Sequence, residues 1–128
     1  DGIVYGVFVS LGFAWAENVI YVTHPILGGY ETALERALLS VPGHGLFGVR
    51  MGYYFALGKY RNRKRYLPLA FFSPYLAHAL YNYFLRKREP VFWLFFSVLE
   101  VRLWVFGLKR IKELQNCSPF REKVSKES

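Results

Sequence analysis

Gly2-Ile-Val-Tyr-Gly-Val-Phe-Val-Ser-Leu-Gly-Phe-Ala-Trp-Ala-Glu-Asn-Val-Ile-Tyr-Val22 runs for 21 residues and carries one charged side chain, Glu17. The hydrocarbon core of a bilayer takes about 20 mostly apolar residues per crossing helix, so this stretch has the length of a span. Residues 37–58, 66–85 and 90–108 read in the same way. The four stretches together hold Glu17, Arg50, Glu100 and Arg102, only four charges from a chain with 17 basic and 9 acidic residues. The polar residues are therefore bunched between apolar blocks, which is how a membrane chain reaches a mean hydropathy as ordinary as +0.14. A content of 53% hydrophobic and 20% aromatic residues excludes disorder and low complexity.

The sequence predicts an all-α membrane protein: an antiparallel bundle of three to four transmembrane helices over residues 1–108, followed by a polar basic tail at 109–128. The fourth segment contains Glu100 and Arg102, so it either spans or lies in the interface as an amphipathic helix. The chain opens on Asp1 and enters a spanning segment at once, with no charged leader before it; it reads as part of a larger bundle and not as a signal peptide. The single cysteine, Cys117, sits in the polar tail and offers neither a disulfide framework nor a thiolate cluster.

Spacing within the segments predicts how they pack. Gly2, Gly6, Ser10 and Ala14 recur at steps of four, as do His44, Gly48, Gly52 and Ala56. Such stripes of small residues let helix backbones approach closely in a membrane. Pro42-Gly43 predicts a bend or a fresh start early in the second segment, and Pro74 a kink in the third. The loop 59–65 carries five Lys or Arg and the tail from 109 carries six, against Arg36, Arg86, Lys87 and Arg88 on the other side. The positive-inside rule thus places that loop and the tail in the cytoplasm. A membrane orientation accounts for the basic loop, and no nucleic-acid partner is needed to explain it.

Ionisable groups at membrane depth are costly and mark functional sites or helix contacts. With a rise of about 1.5 Å per residue, Glu17 lies about 7 Å inside the face opposite the basic loop, and His44 and His78 about 10 Å inside it. Asn82 lies one turn from His78 on the same side. A carboxylate, two imidazoles and an amide therefore share one layer. Such a set is able to hold a divalent metal such as zinc through Glu17, His44 and His78. It is equally able to act without metal, with Glu as general base and His as carbonyl polariser. Arg50 is about 120° off the His44 stripe and is expected to pair structurally with an acidic or carbonyl group. His24 and Glu31 are loop residues with no assigned role. The only aspartate is Asp1, which excludes a two-aspartate site within the chain. There is neither a His-Glu-x-x-His helix nor a Gly-x-Ser-x-Gly elbow.

These residues resemble a known family. Asp1-Gly-Ile-Val-Tyr-Gly6, then Leu11-Gly-Phe-Ala-Trp-Ala-Glu-Asn18 and Tyr21, are similar to the second motif region of the PrsW family of intramembrane proteases. Arg36, Pro42-Gly-His44 and Gly52 are similar to its third, and His78-Ala-Leu-Tyr-Asn82 to its fourth. The resemblance covers residues 1–85. The family's first motif, a Glu-Glu pair with a downstream Lys, would precede Asp1. The resemblance implies an intramembrane peptidase acting on a membrane-anchored protein substrate such as an anti-sigma factor. It further implies Glu17, His44 and His78 as catalytic or metal-binding positions, with Asn82 as partner of the last histidine. The competing reading is a non-enzymatic or transport-type helix module, in which the polar layer only ties helices together or carries an ion.

Overall fold

The computed structural model describes residues 2–26, 28–60, 63–87 and 89–116, and among them there is no strand. Helix α1 covers Gly2–Val22 and the short α2 covers Tyr30–Glu35. A π-helical turn at Arg36–Ser40 joins α2 directly to α3, Val41–Tyr60. A 3-10 turn at Lys64–Tyr66 leads into α4, Leu67–Arg86, and α5 covers Pro90–Asn116. Asp1, Cys117 and the end of the tail lie outside the described residues.

Contacts read along each pair give the topology. Gly2 meets Gly52 and Ala56, Gly6 meets Gly48, and Ser10 donates to the His44 carbonyl at 2.7 Å, so α1 and α3 run antiparallel. Gly58 meets Leu67, Arg50 bonds Ser73, and Gly43 meets Tyr81, so α3 and α4 are also antiparallel. Phe84 packs on Phe92 and Tyr81 on Phe96, which turns α5 back along α4 and parallel to α3. Helix α3 is central, packing against α1, α4 and α5. Leu46, Phe47, Ala77, Tyr81, Phe96 and Leu103 form the buried core between α3, α4 and α5.

Helices α1 and α5 are both long and apolar enough to cross a membrane. Only 11% of the apolar window of α1 and 17% of that of α5 are buried, so neither is the enclosed core helix of a soluble domain. Phe8 and Trp15 on α1 and Phe71 and Tyr75 on α4 stand outward. An apolar surface that continuous marks contact with lipid or with a partner.

Two boundaries differ from the sequence reading, and one feature follows it. The second segment starts at Tyr30, seven residues before Ala37, because Gly28 and Gly29 already reverse the chain. Gly29 takes φ +123°, a left-handed conformation that glycine tolerates. As expected from Pro42-Gly43, the α-helical register starts afresh at Val41; the Val41 N–H bonds the Arg36 carbonyl, five residues back. Helix α5 runs on to Asn116, eight residues past the predicted end. Arg110 and Glu113 pair there at 2.5 Å, a contact that supports a helix continuing outside an apolar medium.

Candidate functional site

Four elements meet at one end of the bundle. Glu17 and Asn18 occupy the end of α1, Arg36 and Ser40 bound the π turn, His44 stands one turn into α3, and His78 and Asn82 lie on the second half of α4. One ligand-capable atom from each of Glu17, His44 and His78 falls within 4.8 Å of the others. Glu17 Oε2 is 3.4 Å from His44 Nε2, and Oε1 is 3.9 Å from His78 Nε2. The two imidazole centroids are 4.7 Å apart. Asn82 Nδ2 lies 2.9 Å from His78 Nε2, one turn away as the sequence predicts.

His44 is the most constrained member, with 3% of its surface exposed. Its Nδ1 lies 2.7 Å from the Ser40 carbonyl oxygen. A carbonyl only accepts, so Nδ1 carries the hydrogen and Nε2 is left as the outward-facing atom. Nε2 is buried and has no hydrogen-bond partner among the described residues, yet faces a carboxylate oxygen. Two electron-rich atoms set together in a dry site repel unless a cation, either a proton or a metal ion, lies between them. The donor set, two imidazole nitrogens and one carboxylate, is one that zinc accepts in catalytic sites. The residues present thus fit a divalent metal.

Aromatic rings wall the cluster. Phe13 packs on His44 and His78 at 5.9 and 6.1 Å, and Phe47 at 5.7 and 5.2 Å. They flank the imidazoles from α1 and α3, and the apolar surface they supply strengthens the charge interactions beside it. Behind them, the Tyr81 hydroxyl, in a side chain 1% exposed, donates to the Leu39 carbonyl at 2.7 Å and braces the π turn.

The four residues singled out from the sequence, Glu17, His44, His78 and Asn82, converge here. Beside them stand Arg36 and Ser10, read from the sequence only as a motif position and a packing residue, and Ser40 and Tyr81, to which it assigns no role. Arg36 Nη2 contacts Glu17 Oε2 at 2.7 Å, placing the partner of Glu17 in a residue counted as a loop charge. The signal was present: Arg36, Ser40 and His44 repeat at steps of four. Arg50 departs from its expectation. Its partners among the described residues are the Ser73 hydroxyl and the face of Phe106, 4.7 Å away, instead of an acidic or carbonyl group. A hydroxyl and a π face satisfy the cation without a second buried charge.

Across residues 1–107 the chain matches the family described as PrsW family intramembrane metalloprotease. It is 40% identical over 116 residues to the Protease PrsW of Geobacillus kaustophilus, covering 88% of this chain and 49% of the relative. The Protease PrsW of Oceanobacillus iheyensis is 43% identical over 114 residues, covering 88% of this chain and 51% of the relative. That of Bacillus subtilis is 39% identical over 120 residues, covering 91% and 53%. The chain thus spans about half the length of the curated relatives it matches. No solved structure matches it. The match over most of the chain shows that it belongs to the PrsW family of intramembrane metalloproteases.

Proposed function

We propose that this chain carries the reacting groups of an intramembrane peptidase that hydrolyses a membrane-anchored protein, a membrane-bound anti-sigma factor being the substrate class the family resemblance suggests. The observation that carries the reading is the convergence of Glu17, His44 and His78, with the His44 Nε2 buried, unbonded and facing the carboxylate. A packing layer would be expected to saturate its hydrogen bonds; this one leaves a lone-pair atom, His44 Nε2, open inside the site.

Glu17 Oε1 accepts a proton from water as the water oxygen attacks the peptide carbonyl carbon. His78, its Nε2 accepting from Asn82 Nδ2, donates from Nδ1 toward the carbonyl oxygen as negative charge develops there. The proton on Glu17 then passes to the amide nitrogen as the C–N bond breaks. Phe13 and Phe47 restrict bulk water around these steps. When bound at Glu17, His44 and His78, a divalent cation such as zinc supplies Lewis acidity.

In the membrane, α1, α3, α4 and α5 cross, the 59–65 loop and the tail from 109 face the cytoplasm, and the site opens near the opposite face. Helices α3 and α4 have 20 residues each, about 30 Å at 1.5 Å per residue. Cysteine-accessibility labelling that placed 59–65 and 23–26 on the same side would defeat this orientation.

The function is tested with the intact protein in proteoliposomes and a membrane-anchored peptide. Glu17→Gln should abolish cleavage while helix content and thermal midpoint stay near wild type. Cleavage unaffected by a strong chelator would assign the water activation to Glu17 without metal. Cleavage by Glu17→Gln at the wild-type rate would sink the proposal.

A further inference from the structure

We propose that Arg36 is the positioning residue of this site: it anchors Glu17 through Oε2 and thereby leaves Oε1 as the oxygen that works. The inference rests on the reading of Glu17 as base or ligand and adds the group that sets its geometry.

One guanidinium gathers the end of α1. Arg36 Nη2 lies 2.7 Å from Glu17 Oε2 and 3.0 Å from Ser40 Oγ, and Nε lies 2.5 Å from Asn18 Oδ1. Its central carbon stands 4.2 Å from the centre of the Tyr21 ring. Positions 17, 18 and 21 are thus held from one side by a single planar group. A guanidinium offers several donors in a rigid fork, whereas an ammonium is a compact point charge that does not reproduce this geometry. The two carboxylate oxygens are made unequal. Oε2 is fixed by a charge-assisted bond on the His44 side, 3.4 Å from its Nε2, and Oε1 is left without that anchor on the His78 side, 3.9 Å from Nε2.

The π turn is what makes this contact. In an uninterrupted α-helix, Arg36 and His44 would sit about 80° apart, eight residues at about 100° each. The wider i→i+5 turn at Arg36–Ser40 removes part of that offset and brings Arg36, Ser40 and His44 toward one line facing α1. Ser40 closes the line: its hydroxyl accepts from Arg36 and its carbonyl accepts from His44 Nδ1. The same turn therefore orients the carboxylate and the imidazole together. Arg36 is assigned no contact with either histidine and acts through Glu17.

The test compares Arg36→Lys, Arg36→Gly, Glu17→Gln and Arg50→Met in the intact protein in proteoliposomes. Arg50→Met controls for loss of a half-buried cation away from the site and should keep kcat within a few-fold of wild type. Arg36→Lys should fold normally yet lose kcat by about 100-fold, the order expected for an ångström-scale misplacement, with KM unchanged. Arg36→Gly should regain part of its kcat when guanidinium ion is added at millimolar concentration, which a merely structural defect would not do. Zinc affinity, read by competition with a chelating dye, should weaken by about 10- to 100-fold in both Arg36 variants. If the wild type binds no zinc, the kinetic split and the rescue decide alone. If Arg36→Gly does not fold, Arg36→Lys decides. A wild-type kcat in Arg36→Lys with an inactive Glu17→Gln overturns the role of Arg36 and leaves the site standing. An active Glu17→Gln overturns both.

Discussion

The contact between α1 and α3 is built in two ways along its length. At the start of α1, Gly2 and Gly6 lie against Gly48 and Gly52, and backbone touches backbone with no side chain between. At its far end, Glu17 and Asn18 meet Arg36, in the π turn that leads into α3, and Glu17 faces His44, through charged and hydrogen-bonded side chains. Ser10, bonded to the His44 carbonyl, marks the change. The glycine half has no chemistry to offer, but it fixes how close the helices lie and therefore which residues come opposite one another. The polar half inherits that spacing. A site whose atoms must meet within a few ångströms needs a rigid gauge, and a close glycine pairing supplies one with nothing to titrate.

The largest effect should follow from breaking the gauge. A Cβ at Gly6 would stand 2.7 Å from the Gly52 backbone nitrogen and 2.9 Å from its Cα, which real structures do not accommodate. Gly6→Val should therefore separate α1 from α3, some 11 residues before Glu17, and remove both activity and the folded protein from detergent extracts. Recovery of a folded, active Gly6→Val protein would show that the two halves are independent.

How much of this was legible in the sequence follows the same division. The glycine half was plain, because a step of four in small residues is visible without any knowledge of partners. Glu17, His44, His78 and Asn82 were also legible, since depth alone aligns them once the segments are known. Arg36 was visible as a loop charge and a motif position, but its contact with Glu17 was not. Counting apolar residues opens the second span at Ala37, whereas the helix begins at Tyr30, where Glu31 and Glu35 interrupt the apolar run. The π turn has no signature in composition either; it is a change of register imposed by packing, with Tyr81 bonding the Leu39 carbonyl from a helix distant in sequence. The reach of α5 to Asn116 was missed for a related reason. Its last turns pair Arg110 with Glu113 and set Tyr53 against Glu113, contacts that hydropathy does not report.

A smaller effect should follow from loosening the polar half without touching its charges. Tyr81→Phe keeps the ring that packs on Phe47 and Phe96 but deletes the hydroxyl bonded to Leu39. The cost in stability should be about 1 kcal/mol, the net worth of a typical hydrogen bond, and more if the carbonyl finds no other donor. Because Leu39 lies inside the π turn that carries Arg36, kcat should fall by several-fold while KM holds. Unchanged kcat alongside a lowered thermal midpoint would separate the brace from the site.

The smallest effect should come from Gly12, which sits between the two halves in sequence but on the other side of α1. A Cβ built there meets nothing within 4 Å, and its neighbours on the outer face, Phe8 and Trp15, are 71% and 72% exposed. Glycine inside a helix is less favourable than alanine by about 1 kcal/mol through backbone entropy, so Gly12→Ala should leave the thermal midpoint unchanged or slightly raised, with wild-type cleavage. Gly6→Ala, the same chemical change six residues earlier, presses its methyl onto the α3 backbone and should lower both. The pair isolates the gauge from helix propensity, because propensity predicts a gain at both positions and close packing predicts a loss only at Gly6. Equal behaviour of the two variants would remove the glycine contact as the element that sets the site's spacing.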